Sequence, residues 1–92
     1  MRFLVTVRIP DRAAVAPLVP MHLAYLNAET DAGHFLAFGA FADGSGGWLI
    51  AEAESLGALE SILAKDPAAA VKSVTYSPEE IHVGRVGALT VG

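Results

Sequence analysis

Two stretches of this chain have the composition of strands that are apolar on both sides. Residues 2–9 read RFLVTVRI and residues 34–42 read HFLAFGAFA. A strand that faces water on one side alternates apolar and polar residues, so a nearly continuous apolar run predicts a sheet with both faces covered. Helices of the same chain are expected to cover one face. A second copy of the chain is the simplest cover for the other, which predicts a homodimer through the sheet face; further assembly of dimers stays open.

The order of the predicted elements narrows the fold class. Hydrophobic periodicity and turn residues predict strand 2–9, helix 20–31, strand 34–42, a turn at 43–47, strand 48–54, helix 55–65 and strand 71–76. Residues 12–18 are rich in alanine, but Pro17 and Pro20 interrupt a helix there; residues 81–86 either continue the last strand or pair elsewhere. The β-α-β-β-α-β order is typical of a ferredoxin-like sandwich, an α+β fold in which one antiparallel sheet carries two helices on one face.

Length, charge and composition exclude several classes of protein. A chain of 92 residues predicts one domain, residues 1–92, with a tail at 87–92. The net charge is −4 and the six Lys and Arg are scattered, so no nucleic-acid partner is expected. No run of about 18 apolar residues could span a membrane, and no signal-peptide pattern is present, so a cytoplasmic protein is expected. The lack of cysteine excludes disulfides, thiolate catalysis and cysteine metal sites.

Asp66 has the most unusual predicted environment. Helix 55–65 has an apolar face, and Asp66 falls on that same face by helical angle; the face consists of Leu56, Leu59, Ile62 and Leu63. Asp66 also follows the helix C-terminus, where the helix dipole disfavours a negative charge, and Pro67 ends the helix. An inward carboxylate in that field needs a partner, a proton or a function. The alternative is an Asp-Pro turn residue that accepts a hydrogen bond from a nearby backbone N–H.

Chain direction places a histidine at the same end of the fold as Asp66. With short connections and a right-handed crossover, Arg8, the start of helix 20–31 and the turn 43–47 meet Asp66 there. His22 lies in the first turn of that helix, beside a predicted core stripe of Val19, Leu23, Leu26 and Thr30. A histidine–carboxylate pair suits proton transfer, because the carboxylate fixes the imidazole tautomer and stabilises its cation. The alternative for His22 is an interfacial histidine bonded to backbone.

Three further residues are candidates for substrate binding. Arg8 would bind an anionic substrate, or would pair with Asp11 or another acidic neighbour. Ser45 lies on the predicted turn, and turn chemistry also explains it. Tyr25 would contact substrate from the helix, or would pack in the core.

No metal or cofactor is predicted. No three ligand residues have the spacing of a metal site. The segment Gly44-Ser45-Gly46-Gly47 joins two strands and does not open a helix, so it is not a phosphate loop. His34 and His82 lie in strand patterns away from the proposed site, and we interpret both as structural.

Five short motifs occur in order along the chain. They are His22-Leu23-x-Tyr25-Leu26, Gly33-x-Phe35-Leu36-x-x-Gly39-x-Phe41-x-Asp43, Gly46-Gly47, Glu54-Ser55-Leu56 and Asp66-Pro67. Each motif alone is weak, whereas the ordered set resembles the YciI-like family over roughly residues 1–84. The resemblance implies a dimeric α+β barrel of ferredoxin-like protomers and an active site that contains His22 and Asp66.

The resemblance also implies a type of chemistry. One characterised type of YciI-like protein eliminates chloride from a chlorinated hydroxyquinol, whereas most members have no known reaction. Ala40 stands where the family often has proline, and Ala68 stands where it often has an aromatic residue. The departures at Ala40 and Ala68 leave the substrate open. The related muconolactone isomerases share the fold and the hairpin pattern but usually lack the Asp-Pro, which counts against an assignment to them.

Two functions are therefore carried forward as hypotheses. In the first, the protein is a cofactor-independent enzyme for elimination or isomerisation of a small cyclic or aromatic substrate, with His22 as general base or acid and Asp66 orienting it. In the second, it is a non-catalytic dimeric module that binds a small ligand or a protein partner. The apolar sheet face agrees with both hypotheses. Contact between His22 and Asp66 beside a pocket would favour the first.

Overall fold

The chain forms an antiparallel sheet of four strands with helices on one side. A computed structural model describes residues 1–87; residues 88–92, most of the predicted tail, lie outside the described residues. The elements are β1 (Arg2–Arg8), α1 (Arg12–Val15), α2 (Val19–Asp31), β2 (Phe35–Ala40), β3 (Gly46–Glu52), α3 (Leu56–Leu63) and β4 (Thr75–Ile81), with short 3-10 helices at Ala16–Leu18 and Pro67–Ala70. The strand order in the sheet is β2-β3-β1-β4. The predicted α+β, ferredoxin-like fold is confirmed.

The helices cover one face of the sheet. The side chains of Phe3, Val5 and Val7, on the central strand β1, point toward that face and are buried. They share one core cluster with Leu26 of α2 and Leu59 of α3, and Leu59 is fully buried. The residues between them on β1 are only half-buried, as the period of two in a strand requires for the face away from the helices.

That opposite face is also apolar. Leu4, Trp48 and Ile50 lie on it in neighbouring register positions of β1 and β3, and each is half-buried. The indole ring of Trp48 lies over Gly39 of β2, where a Cβ atom would come within 2.7 Å of the ring. The sheet therefore presents apolar side chains on the side that the helices leave open.

The fourth strand begins later than predicted. The sequence indicated residues 71–76, whereas the strand spans Thr75–Ile81. The 3-10 helix after Asp66 and a turn closed by Val74 N–H and the Val71 carbonyl, at 3.0 Å, occupy the residues before it. Because β4 is an edge strand, it accommodates Pro78, which has no N–H for a ladder bond.

The inward face of α2 differs from the predicted stripe. Val19 and Leu23 are each 48% exposed, whereas Leu26 is buried as predicted. His22 and Tyr25 are half-buried in their place. Much of α2 is apolar around its circumference, so hydrophobic periodicity could not select the inward face.

The segments that flank the predicted helices follow local capping rules. The alanine-rich segment 12–18 is helical in spite of Pro17, because this proline lies in the first turn of the 3-10 helix Ala16–Leu18, where its missing N–H is not needed. Ser55 caps α3 by accepting a hydrogen bond from the Ala58 N–H at 3.1 Å.

The inner face of α3 also differs from the prediction at one position. Leu56, predicted on that face, is 45% exposed.

None of the helices within residues 1–87 is both long enough and apolar enough to cross a membrane.

Candidate active site

Asp66 lies between two helical segments. It follows the C-cap of α3 and is itself the N-cap of the 3-10 helix Pro67–Ala70, where its Oδ1 accepts a hydrogen bond from the Ala68 N–H at 2.9 Å. The prediction considered only the unfavourable field at the end of α3 and left out the helical turn that Asp66 begins. Its carboxylate also accepts from the Ala68 N–H at the start of the next turn, a position that favours negative charge. The Asp-Pro turn contact considered for this residue is present.

Two side chains complete the hydrogen bonding of the Asp66 carboxylate. The Nδ1 atom of His22, on α2, lies 2.6 Å from Oδ1. The hydroxyl of Tyr76, on β4, donates to Oδ2 at 2.6 Å. Only 4% of Asp66 is exposed. Donors from a helix, a turn and an edge strand thus converge on one buried carboxylate.

These donors determine the charge of Asp66. Burial by itself would raise the pKa of the carboxyl group, but the hydrogen bonds from His22, Tyr76 and the Ala68 N–H outweigh it, and the pKa lies below its usual value. Burial, followed by the bond to Asp66, raises the pKa of the Tyr76 hydroxyl, which stays protonated as a donor. Because the anionic carboxylate only accepts, the proton of the His22–Asp66 bond belongs to Nδ1 of the imidazole.

The other ring nitrogen of His22 is accessible. Among residues 1–87, no group bonds to Nε2, and no side-chain nitrogen or oxygen that is fully buried lacks a partner, so Nε2 must retain exposed surface. His22 and Asp66 line a cavity of about 280 Å³ between α2 and the sheet. The other residues that line it are apolar or glycine: Val7, Ile9, Leu23, Leu26, Phe38, Gly39, Ala40, Gly46, Gly47, Trp48 and Leu49. His22 and Asp66 are thus the only ionisable residues among those that line this cavity within residues 1–87.

Two glycines shape the wall of this cavity at the start of β3. Gly46 has φ +147°, and a Cβ atom there would lie 1.9 Å from the Val7 carbonyl oxygen. A Cβ atom on Gly47 would lie 2.6 Å from the Gly39 carbonyl oxygen. The hairpin can approach β1 and β2 this closely only because both positions lack side chains.

The residues predicted to bind substrate lie in different places. Arg8 Nη1 donates to Ser45 Oγ at 3.1 Å at the mouth of the hairpin, and the guanidinium group lies 4.9 Å from the centre of the Phe41 ring. Tyr25 does not line the 280 Å³ cavity; its hydroxyl donates to the Ile62 carbonyl at 2.7 Å, which fits the packing alternative.

The two other histidines are separate from this cavity. His34 Nδ1 lies within hydrogen-bond distance of a Glu29 carboxylate oxygen, and His82 is exposed just after β4. Within residues 1–87, no three histidine, aspartate or glutamate side chains are grouped closely enough to hold a metal ion.

Sequence reasoning missed Tyr76 as a partner of Asp66. Tyr76 was assigned to the end of a strand, and its role depends on register: it pairs with Val7 on the face of the sheet that the helices cover. The only signal available in the sequence was that a buried carboxylate with one histidine partner still has a second oxygen to satisfy.

Comparison with known proteins identifies the family of the chain. The family model described as the YCII-related domain matches residues 1–78, which include the whole of the sheet except the end of β4. No match was found among the curated proteins.

Proposed function

The chain belongs to the YCII-related domain family, and we propose that it is a cofactor-independent enzyme in which His22 and Asp66 transfer a proton on a small cyclic or aromatic substrate. The observation that supports this proposal is the 2.6 Å contact between His22 Nδ1 and Asp66 Oδ1 at the wall of an apolar cavity. The contact alone would serve structure as well as chemistry. Its position, with Nε2 accessible, favours chemistry.

The proposed roles follow from the hydrogen bonds. Asp66 holds the Nδ1–H of the neutral imidazole, so the lone pair of His22 is on Nε2. Nε2 takes an acidic proton from the substrate, and the imidazolium that forms is stabilised by the adjacent carboxylate. Returning that proton to another substrate atom completes an isomerisation, and delivering it to a leaving group completes an elimination. Tyr76 and the Ala68 N–H act only on Asp66, by keeping its carboxylate ionised and in place.

The cavity suits a small apolar substrate. An apolar cavity of about 150 Å³ is large enough for benzene, so the volume of about 280 Å³ here accommodates one substituted ring. With a ring bound between these apolar walls, water would be excluded from the imidazole, which would strengthen the electrostatic effect of Asp66 on the cation.

A test of the proposal measures proton transfer directly. In D₂O, small cyclic compounds with acidic C–H groups are expected to exchange deuterium in the presence of the protein. We expect His22→Gln to slow this exchange by about 10²- to 10⁴-fold, the usual contribution of a positioned general base. The matched control is His34→Gln, which breaks a histidine–carboxylate contact away from the cavity and should leave the rate unchanged.

The imidazole tautomer supplies a second readout that needs no substrate. In ¹⁵N-labelled protein above neutral pH, His22 should carry its proton on Nδ1, and Asp66→Asn should shift the proton toward Nε2. The signals of His34 serve as the internal reference. Two results together would contradict the proposed enzyme: equal exchange rates in wild type and His22→Gln, and the same His22 tautomer in wild type and Asp66→Asn. The non-catalytic binding module would then be the remaining hypothesis.

We also propose that the chain forms a homodimer through the open face of the sheet. The proposal is supported by the apolar side chains of Leu4, Trp48 and Ile50 on that face, since a soluble monomer rarely exposes a large contiguous apolar patch. Ile50→Asp should convert the dimer to monomer in size-exclusion chromatography with light scattering. Leu56→Asp, which changes an exposed leucine on α3, is the control and should not change the mass. A mass that is the same for both variants would contradict this interface.

A further inference from the structure

Two guanidinium groups flank the tip of the hairpin next to the cavity. Arg8 Nη1 donates to Ser45 Oγ at 3.1 Å. The Arg12 guanidinium lies against Gly44 so closely that a Cβ atom there would be 2.8 Å from Nη1. Within residues 1–87, the ion pairs closer than 4 Å involve other residues, so neither arginine has a carboxylate partner.

The acidic groups near these arginines do not cancel their charge. Asp43 lines a cleft that Arg8, Arg12 and Ser45 also line. The pKa of Asp43 is lowered first by the hydrogen bonds from Ser45 and then by the charge of Arg8, so Asp43 is anionic. Asp11 lies outside the cleft and caps α1 through the Ala14 N–H. Two cations and one anion therefore leave the cleft with a single net positive charge, which suits a monoanion.

The basic cleft lies near the cavity at His22. The cavity shares Ile9, Ala40 and Gly46 with a neighbouring cleft of about 560 Å³. That cleft in turn shares Arg12 and Gly44 with the cleft that Arg8 and Ser45 line, whose volume is about 480 Å³. Ile9 lines all three spaces, so the two arginines form a basic rim on the surface close to the apolar cavity.

The two parts of this surface accept opposite kinds of chemical group. An anionic group buried among apolar walls, beside the ionised Asp66, would lose its hydration without gaining a cation. A guanidinium group at the rim binds a carboxylate through charged hydrogen bonds and keeps it partly in water. The cavity therefore suits an apolar ring and disfavours an anion, whereas the rim favours an anion.

We infer that the substrate is a small aromatic or cyclic carboxylic acid whose ring occupies the cavity at His22 and whose carboxylate lies between Arg8 and Arg12. This inference rests on the proposed function, because it assigns the ring to the same cavity. It makes Arg12 a residue that determines specificity, and Asp43 a residue that weakens anion binding.

The inference is tested with a pair of probes that differ in charge but not in shape. The probes are 3-phenylpropionate and 3-phenylpropionamide, titrated at low and high salt while NMR follows the His22 ring. Wild type should bind the acid about tenfold more tightly than the amide, as a charged hydrogen bond to an arginine predicts, and the difference should shrink at high salt.

Three variants separate a binding role from a general change in charge. Arg12→Gln should abolish the preference for the acid, and Asp43→Asn should increase it. Arg2→Gln makes the same change of charge at the opposite end of β1, where Arg2 pairs with Glu52 at 3.7 Å, and should leave the preference intact.

Each outcome has a distinct meaning. If both probes shift His22 with equal affinity, or if Arg12→Gln and Arg2→Gln behave alike, the carboxylate site is wrong while the proposed catalytic cavity stands. If neither probe shifts the His22 signals at any concentration, the cavity does not bind such rings, and this inference fails together with the ring substrate of the proposed function.

Discussion

Asp66→Asn should lower the free energy of unfolding by about 2–3 kcal/mol near neutral pH, because it weakens hydrogen bonds to a buried charged group. The substitution removes the charge that holds the His22 imidazole and the Tyr76 hydroxyl. An asparagine can still accept from the Ala68 N–H through its oxygen. Its amide nitrogen cannot accept from Tyr76, so the Tyr76 hydroxyl would have to turn and accept from that nitrogen, and the hydrogen bonds to the side chain lose the charge that strengthens them. Urea denaturation of wild type and variant measures the difference.

The loss should depend on pH in one direction. The pKa of Asp66 in the folded protein is lower than in the unfolded chain, so the unfolded state binds the extra proton in acid. The stabilisation is therefore fully present above the unfolded pKa, about 4, and is lost as pH falls through the folded pKa. Wild type and Asp66→Asn should converge in stability below about pH 4.

A surface aspartate provides the control for this result. Asp43 also has a lowered pKa, owing to Ser45, but it is exposed. Asp43→Asn makes the same chemical change and should cause a much smaller loss, because solvent screens the charge. A difference between wild type and Asp66→Asn that stays constant from neutral pH to strong acid would show that the carboxylate is not the source of the stability.

Gly46→Ala should destabilise the protein by about 3 kcal/mol or more, since it combines backbone strain with a steric clash. The φ of Gly46 is +147°, which side chains rarely adopt, and its Cβ would lie 1.9 Å from the Val7 carbonyl oxygen. The start of β3 would have to move away from β1, and the wall of the cavity would move with it. Thermal or urea unfolding measures the first effect, and the His22 NMR signals report the second.

The matched control has the opposite sign. Gly57 lies in α3, and a Cβ atom there would meet nothing closer than Ser55 Oγ at 3.9 Å. Gly57→Ala should therefore stabilise the protein by about 0.5–1 kcal/mol through helix propensity. If Gly46→Ala matched wild type in stability, the close approach of the hairpin to β1 would be disproved.

The fold was predictable because its signals are local. Ser55 as an N-cap, the glycine-rich turn and the apolar strands each act within a few residues, and their order leaves few topologies open. The start of β4 was not predictable in this way, because the turn that ends at Val74 competes with the strand for the same residues.

That His22 and Asp66 lie at the same end of the sheet could be expected from chain direction and from the family resemblance. Helical angle did not place Asp66, because α3 ends at Leu63 and Asp66 has an extended backbone. Helical angle also did not predict the inward face of α2. Val19 and Leu23 are as apolar as the residues of a core stripe, yet both are exposed. His22 and Tyr25 face inward because Asp66 and the Ile62 carbonyl bond to their polar atoms, and no periodicity records such partners.

The sequence by itself therefore determined the α+β architecture and the end of the sheet at which a histidine and an aspartate meet, because both follow from local propensity and the direction of the chain. Only the tertiary structure decided that Tyr76 is the second partner of Asp66, that Nε2 of His22 stays accessible, and that Arg12 lies beside Gly44. These facts depend on strand register and on distances between segments far apart in sequence, which a residue pattern does not contain.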